Sequence, residues 1–253
     1  MESKTTQIMP ADGRLPKAAD RIRVAETFTS LQGEGLLTGT RSFFIRTSGC
    51  NLRCWFCDTP YASWHPEGEL QRVDTLVAAA VESGCSHVVL TGGEPLLPPL
   101  SSELVRLLRG QSLHVTIETA GTIDRELTAD LMSISPKLAG SGPQRSVSPN
   151  SSSTWVQRHE QRRWRPDVVR QLIERSLDYQ VKFVVDEPDD FAQAAAAASE
   201  LGVPSANVWI MPQGITAAQL DRQASWIRPL CQQHGFQYCD RMHVRWYGNR
   251  RGT

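Results

Sequence analysis

The stretch SFFIRTSGCNLRCWFCDT, residues 42–59, holds two elements in succession. Residues 42–48 carry the apolar run FFI and read as a buried strand. Gly49 ends it, and Cys50, Cys54 and Cys57 follow within eight residues. A strand that opens into a loop of soft ligands has the form of an α/β site, because such sites lie beyond the carboxyl ends of parallel strands. The same unit recurs further along the chain. Residues 72–83 (RVDTLVAAAVES) set Val73, Leu76, Val77, Ala80 and Val81 on one helical stripe, with Gly84 as the stop. A strand over 87–90 then runs into Thr91-Gly92-Gly93-Glu94-Pro95. A helix over 100–109 precedes a strand over 113–118 and Thr119-Ala120-Gly121. A short strand over 131–134 leads to Ser135-Pro136-Lys137.

The second half continues the alternation. It predicts a helix over 166–178, a strand over 180–185, an Ala-rich helix over 189–200, and a strand over 206–211 ahead of Pro212-Gln213-Gly214. The next helix carries Leu220, Ala224, Ile227 and Cys231, spaced four, three and four as one apolar face requires. Residues 241–253 (RMHVRWYGNRRGT) alternate and read as a final strand plus tail. The expected fold is α/β: a partial, incomplete TIM-like barrel of about six parallel strands with crossover helices, too few units for the eight of a closed barrel. A single domain over 21–253 is expected, with a flexible N-terminal tail over 1–20. The Gly/Ser/Pro-rich stretch 139–154 reads as a mobile loop. The loops 49–59, 91–95, 119–121, 135–137 and 211–214 each follow a strand, so they point to one shared site.

Composition narrows the function. Among 253 residues, 27 Lys+Arg balance 27 Asp+Glu, without the basic excess of a nucleic-acid binder. Arg158, Arg162, Arg163, Arg165 and Arg170 crowd one region, but Glu160 and Asp167 interrupt it, and the run reads as a solvated face. No apolar run is long enough to span a bilayer, and the first twenty residues lack the apolar core of a secretory signal, so a cytoplasmic protein is expected. In a reducing compartment, clustered thiols point to metal or catalysis before disulfides.

Three readings of the triplet compete. A disulfide leaves an odd thiol. A structural zinc ion takes four closed ligands; no His or Cys follows at short spacing, though Cys85, Cys231 and Cys239 remain as a distant fourth. A [4Fe–4S] cluster normally takes four thiolates, and three leave one iron open to bind a cofactor or substrate.

The C-x3-C-x2-C spacing, with Phe56 before the last cysteine and the Gly92-Gly93-Glu94 turn after the next strand, resembles the radical S-adenosylmethionine (SAM) superfamily. Read from its residues alone, the segment 26–35 is a glycine-bounded polar loop near the site, or a turn packed on the sheet edge. Yet SLQGEG (30–35) and FFIRTSGCNLRCWFCDT (43–59) are similar to the 7-carboxy-7-deazaguanine synthases of queuosine and 7-deazapurine biosynthesis. The likeness covers about 22–137. It continues more weakly through 206–214 and WYGNRRGT at the end.

The resemblance implies a radical SAM core and a carbon–nitrogen lyase. Its substrate would be 6-carboxy-5,6,7,8-tetrahydropterin and its product 7-carboxy-7-deazaguanine, with loss of ammonia, SAM regenerated and Mg2+ required. The cluster would sit on Cys50, Cys54 and Cys57, and the chemistry would be carried by cluster and SAM, with no protein group assigned as catalytic. SAM would be lined by Phe56, Cys57, Asp58, Gly93, Ser135, Pro136, Lys137, Met211, Pro212, Gln213 and Gly214. The substrate would meet Leu31, Gln32, Gly33, Arg46 and Thr91, a guanidinium being apt for its carboxylate. Mg2+ would bind Thr59, an oxygen ligand suited to a hard cation. An external electron donor such as flavodoxin and a homodimer are implied; nucleic-acid and membrane partners are not. The competing functions are another radical SAM enzyme, such as a glycyl-radical activase, and a non-catalytic zinc-binding module. His65, His87, His114, His159, His234 and His243 show no paired metal spacing and read as surface or core residues. Cys85, Cys231 and Cys239 read as packing residues, and Glu118 as a turn stabiliser or cofactor contact.

Overall fold

A computed structural model describes residues 20–144 and 153–253. The expected tail over 1–19 and the central part of the loop, 145–152, lie outside the described residues. The quoted strand is β2 (Arg41–Thr47), antiparallel to the long β1 (Arg21–Leu31) and parallel to β4 (His87–Gly92); β3 (Glu69–Arg72) pairs antiparallel with β1. Beyond β4 the sheet continues parallel through β5 (His114–Thr119), β6 (Leu131–Ile134), β7 (Asp178–Val185), β8 (Val208–Pro212) and a two-residue β9 (Gln237–Tyr238). The order is β3-β1-β2-β4-β5-β6-β7-β8-β9, an open nine-stranded sheet. Six parallel strands were expected; β9 is a seventh.

The central strands are buried almost without a break, as strands covered on both faces must be. Their covering helices are α2 (Val73–Glu82), α3 (Ser101–Gly110), α5 (Pro166–Glu174), α6 (Pro188–Leu201) and α7 (Ala217–His234). The face expected for α7 is the buried one: Leu220, Ala224, Ile227 and Cys231. A capping box starts that helix, with the Thr216 hydroxyl accepting from the Gln219 N–H at 3.3 Å.

Four expectations are corrected. Residues 26–31 of the segment read as a polar loop belong to β1, whose alternating exposure explains its polar residues: one face of the strand carries Ile22 and Val24 into the core and the other meets solvent. The loop itself runs over 32–40. The Gly/Ser/Pro-rich stretch ends earlier than expected, because Ser153 begins a helix, α4 (Ser153–Arg163). Its single buried residue, His159, gives no apolar stripe to read. The helix expected over 166–178 stops at Glu174, and β7 already begins at Asp178. The end is not a strand: Met242–Tyr247 forms α8, with Gly248 N–H bonded to the Val244 carbonyl at 2.9 Å. Six residues are too few for alternation to separate a period of 2 from one of 3.6. A short helix, α1 (Pro60–Ser63), lies between the cysteines and β3.

Candidate active site

The parallel register sets the site. Arg46 pairs with Thr91 and Thr47 with Gly92, so the ends of β2 and β4 deliver their loops side by side. The Gly93 N–H bonds to the Thr47 carbonyl at 3.1 Å and the Glu94 N–H to the Gly49 carbonyl at 2.8 Å. A Cβ on Gly93 would stand 2.2 Å from the Gly49 oxygen and 2.6 Å from the Ala62 oxygen. Glycine is therefore required where β4 meets the start of the cysteine loop. Glu94 is 0% exposed and accepts from the Leu96 N–H (3.0 Å), the Thr119 hydroxyl (2.7 Å) and the Ala120 N–H (3.0 Å). Burial pushes its carboxyl up and those three donors oppose the shift. The Gly-Gly-Glu turn thus ties the ends of β2, β4 and β5 together.

The cysteine loop is held from outside by α4. The Arg53 N–H donates to His159 Nδ1 at 3.1 Å, and His159 Nε2 lies 3.0 Å from the Ser141 hydroxyl, which donates to the Leu138 carbonyl at 2.6 Å. With Nδ1 accepting, the proton sits on Nε2. The Trp55 N–H reaches the Ser141 carbonyl at 3.1 Å and the Trp64 indole the Cys54 carbonyl at 3.1 Å. Asn51 and Thr122 exchange hydrogen bonds at 3.0 and 3.1 Å. Of the surface and core alternatives for His159 the structure gives the core one, and its partner is the backbone between Cys50 and Cys54.

Burial pushes His159 down to about 4 from a usual value of 6.5. A base held neutral in the fold binds fewer protons than in the unfolded chain between those values, so stability falls as pH falls through that window. Unfolding of cluster-free protein in urea is expected to lose about 2 kcal/mol between pH 7 and pH 5. In His159→Gln most of that pH dependence should vanish; an unchanged slope in the variant refutes the assignment.

Cys50, Cys54 and Cys57 line one cavity of about 450 Å³. Burial pushes the Cys50 and Cys54 thiols up to about 12. Such thiols ionise against a positively charged centre and not against solvent, which fits a cluster. Among the described residues no group of three His, Cys, Asp or Glu is set to hold a single metal ion.

The same cavity is lined by Phe56, Asp58, Thr59, Gly93, Ser135, Lys137, Met211 and Gln213, and by Leu31, Gln32, Gly33, Arg46 and Thr91. Three residues expected at the site do not line it. Pro136 faces a neighbouring cavity, Pro212 ends β8, and Gly214 gives its carbonyl to Arg241 at 2.7 Å. Lys137 folds back on Ser135, donating to its carbonyl and hydroxyl at 2.7 and 2.8 Å. Arg46 commits Nε to Glu26 at 2.8 Å, which leaves its two terminal nitrogens for a ligand carboxylate. Glu26 also accepts from the Tyr61 hydroxyl at 2.7 Å and from Arg251 at 3.1 Å, and the Arg251 guanidinium lies 4.1 Å over the Tyr61 ring. The segment around Arg251 is thereby strapped to the cavity mouth, which Asn249, Arg250 and Thr253 also line.

Sequence reasoning missed the charged network behind the 32–40 loop. Lys182, 3% exposed on β7, donates to Glu34 at 2.9 Å and lies 3.5 Å from Glu118. Arg241 lies 3.4 Å from Glu34 and pairs closely with Asp58. Burial pushes Glu34 up, but Lys182, Arg241 and His243 outweigh it and hold the carboxyl well below its usual range. For Lys182 burial pulls down, and Glu34 and Glu118 hold it well above the usual ammonium range. The loop backbone is pinned as well: the Leu36 N–H bonds to Gln180 at 2.8 Å and the Gly35 N–H to the Cys239 sulfur at 3.1 Å. Gly35 has φ +72°, and a Cβ there would meet the Gln180 side chain at 2.3 Å. One signal for this network was present, a lysine inside the apolar run QVKFVV.

Among the described residues no helix is long and apolar enough to cross a membrane. The sequence profile of the Radical SAM superfamily matches residues 44–222. A 7-carboxy-7-deazaguanine synthase of Rhodopirellula baltica is 48% identical over 96% of this chain and 93% of its own length. One from Halobacterium salinarum is 41% identical over 88% of this chain and 89% of its own. The crystal structure of QueE from Escherichia coli superposes with a TM-score of 0.62, covering 88% of this chain and 95% of that one; at 22% identity it speaks for the fold alone. The chain belongs to the radical SAM superfamily and, within it, to the 7-carboxy-7-deazaguanine synthases, lyases of 7-deazapurine biosynthesis that work through a [4Fe–4S] cluster and SAM.

Proposed function

We propose that the chain converts 6-carboxy-5,6,7,8-tetrahydropterin to 7-carboxy-7-deazaguanine with loss of ammonia, SAM being regenerated. The observation that carries this reading is the make-up of one cavity: three cysteines share it with Arg46, whose terminal nitrogens have no hydrogen-bond partner among the described residues, and with Thr91 and the 31–33 loop. When bound, the cluster and SAM would supply the radical chemistry, a hydrogen-atom abstraction directed at C6 of the pterin. Cys50, Cys54 and Cys57 hold the cluster. Phe56, Asp58, Gly93, Ser135, Lys137, Met211 and Gln213 flank SAM. Leu31, Gln32, Gly33, Arg46 and Thr91 hold the pterin, with Arg46 on its carboxylate. The Glu26–Arg251 strap limits solvent entry at the mouth. Anaerobic reconstitution followed by addition of 6-carboxytetrahydropterin, reductant and SAM tests the assignment. The expected product is 7-carboxy-7-deazaguanine by mass spectrometry; SAM cleavage without it leaves only the superfamily.

The same reading puts Mg2+ on Thr59. Thr59 stands at the N-terminus of α1, where its hydroxyl makes no capping bond and lies 3.8 Å from the Cys57 sulfur in a long hydrogen bond. A hydroxyl oxygen with only this long contact to sulfur, lining the cavity, suits a hard cation that keeps water or substrate oxygens in its shell. Thr59→Ala is expected to raise the Mg2+ concentration needed for half-maximal turnover by about tenfold, the equivalent of one lost ligand worth ~1.4 kcal/mol. Unaltered Mg2+ dependence in the variant rules the role out. An external one-electron donor such as flavodoxin and a homodimeric state complete the reading. Exposed apolar side chains such as Leu36 and Trp246 support a subunit interface, which sedimentation equilibrium checks.

A further inference from the structure

We propose that Glu26 is a positioning residue for the reaction: one of its oxygens sets the Arg46 guanidinium to receive the substrate carboxylate, and the other latches the C-terminal segment over the mouth of the cavity. The proposal rests on the reading that Arg46 binds that carboxylate. An irregularity in β1 puts Glu26 there. Val24 pairs with Thr47 and Glu26 with Arg46, so two steps along β1 match one step along β2. Ala25 is the extra residue of a β-bulge, a device that re-aims side chains next to active sites. In an unbroken register Glu26 would oppose Ile45, which is 0% exposed. The bulge instead sets the carboxylate directly across from Arg46. It also leaves Ala25 without a partner on β2, and the Ala25 carbonyl accepts from the Arg251 guanidinium at 3.2 Å.

The two carboxylate oxygens divide the work. Oε1 accepts from Arg46 Nε at 2.8 Å and from the Tyr61 hydroxyl at 2.7 Å, and Oε2 accepts from Arg251 Nε at 3.1 Å. Burial pushes the Glu26 carboxyl up, but Tyr61, Arg46 and Arg251 outweigh it and hold it below its usual range, so it is charged at neutral pH. A guanidinium is planar, so a bond at Nε fixes the plane in which the two terminal nitrogens lie. The face of that plane is supported as well: Arg46 lies 5.6 Å from the centre of the Phe28 ring, which stacks on Phe44 at 4.8 Å. A fork held in this way meets a carboxylate bidentately with little further loss of rotamer freedom.

The tail is anchored on the same carboxylate. Arg251 also donates to Glu67 at 2.8 Å and lies 4.1 Å over the Tyr61 ring. The Glu67 side chain is 55% exposed, where an ion pair contributes little, whereas that of Glu26 is 13% exposed. Glu26 is therefore the stronger of the two anchors. Asn249, Arg250 and Thr253, on either side of Arg251, line the cavity. The residue that orients the carboxylate-binding arginine is thus the one that keeps the mouth covered. Glu26 does not itself line the cavity; it acts through Arg46 and Arg251.

The test measures binding to cluster-loaded enzyme in the presence of SAM, by anaerobic calorimetry, of 6-carboxytetrahydropterin and of 6-hydroxymethyltetrahydropterin, which lacks the carboxylate. Wild type should prefer the first. Glu26→Met should lose about tenfold in affinity for the carboxylate pterin and keep its affinity for the other. In an Arg46→Met background the Glu26→Met change should cost no further preference, because its effect passes through Arg46. The latch is read separately, from the rate at which trypsin releases the residues beyond Arg250 and Arg251. Glu26→Met should raise that rate about tenfold, and Arg46→Met should leave it unchanged. An unchanged pterin preference in Glu26→Met, equal losses for both pterins, a further loss in the Arg46→Met background, or a wild-type trypsin rate in Glu26→Met overturns the proposal. Should Glu26→Met load less iron than wild type, Glu26→Gln, of the same shape, carries the same comparison with an expected loss of about threefold. Wild-type enzyme with no preference for the carboxylate overturns the substrate reading instead, and the trypsin arm still decides the latch.

Discussion

Lys182→Met is expected to lower the unfolding free energy by about 3 kcal/mol, near the low end of what breaking a buried ion pair costs. The ammonium is almost inaccessible and lies between Glu34 at 2.9 Å and Glu118 at 3.5 Å. Methionine fills a similar volume, so the loss is electrostatic and not a cavity effect. It leaves two carboxylates facing an apolar group in a site where burial already disfavours their charge. Arg241 stays beside Glu34 at 3.4 Å, which keeps the cost from rising further. The functional effect follows from geometry. Lys182 and Gln180, both on β7, hold the 32–40 loop in place, and that loop carries Gln32 and Gly33 into the cavity. Loosening it should raise KM for the pterin at least about tenfold, or ~1.4 kcal/mol of binding, while cluster content stays constant. Urea unfolding and steady-state kinetics measure the two effects, and a variant with wild-type midpoint and KM would show that the network has no such role.

Gly93→Ala is expected to act on the cluster itself. The added methyl meets two backbone oxygens, of Gly49 at 2.2 Å and Ala62 at 2.6 Å, and neither can swing aside as a flexible side chain would. Either β4 withdraws from β2 or the cysteine loop moves. Overpacking of this kind costs about 1–3 kcal/mol. A displacement of an ångström at reacting groups costs about 100-fold in rate. Reduced iron loading and a rate loss near that size should appear together. Gly110→Ala is the matched control: it sits at the end of α3 with nothing within 4 Å of its added Cβ, so it should leave cluster and rate unchanged. If Gly93→Ala loads iron and turns over like Gly110→Ala, the close approach of β4 to the loop is not what positions the cluster.

Legibility in the sequence followed the range of the interaction. The face of α7 and the apolar core of β2, β4, β5 and β7 are local patterns, and each formed where it was read. The stripe on α2 formed over Val73, Leu76, Val77 and Ala80, but Val81, read as part of it, is exposed at the end of the helix. Two elements with weak local patterns were not recognised. In α4 one histidine is buried among polar residues, and in α8 six residues carry too little period to choose between helix and strand. In β1 the polar, half-exposed face hid the strand until its partners β2 and β3 were known.

The sequence alone was sufficient for the three thiols in one loop, the Gly-Gly-Glu turn one strand later and the alternation that makes a parallel sheet, because spacing within a few residues determines all three. Tertiary structure decided the rest. Lys182 meets Glu34 across 148 positions, and Arg241 meets Asp58 across 183. His159 reaches back 106 positions to the backbone of Arg53. A buried charge or ring nitrogen must find its partner somewhere in the fold, but nothing in a linear chain says where. The sheet order supplies that information: β7 and the chain beyond β9 fold back toward the loops of β1 and β2, and only there does the cysteine loop acquire the walls and the charges that make it a site.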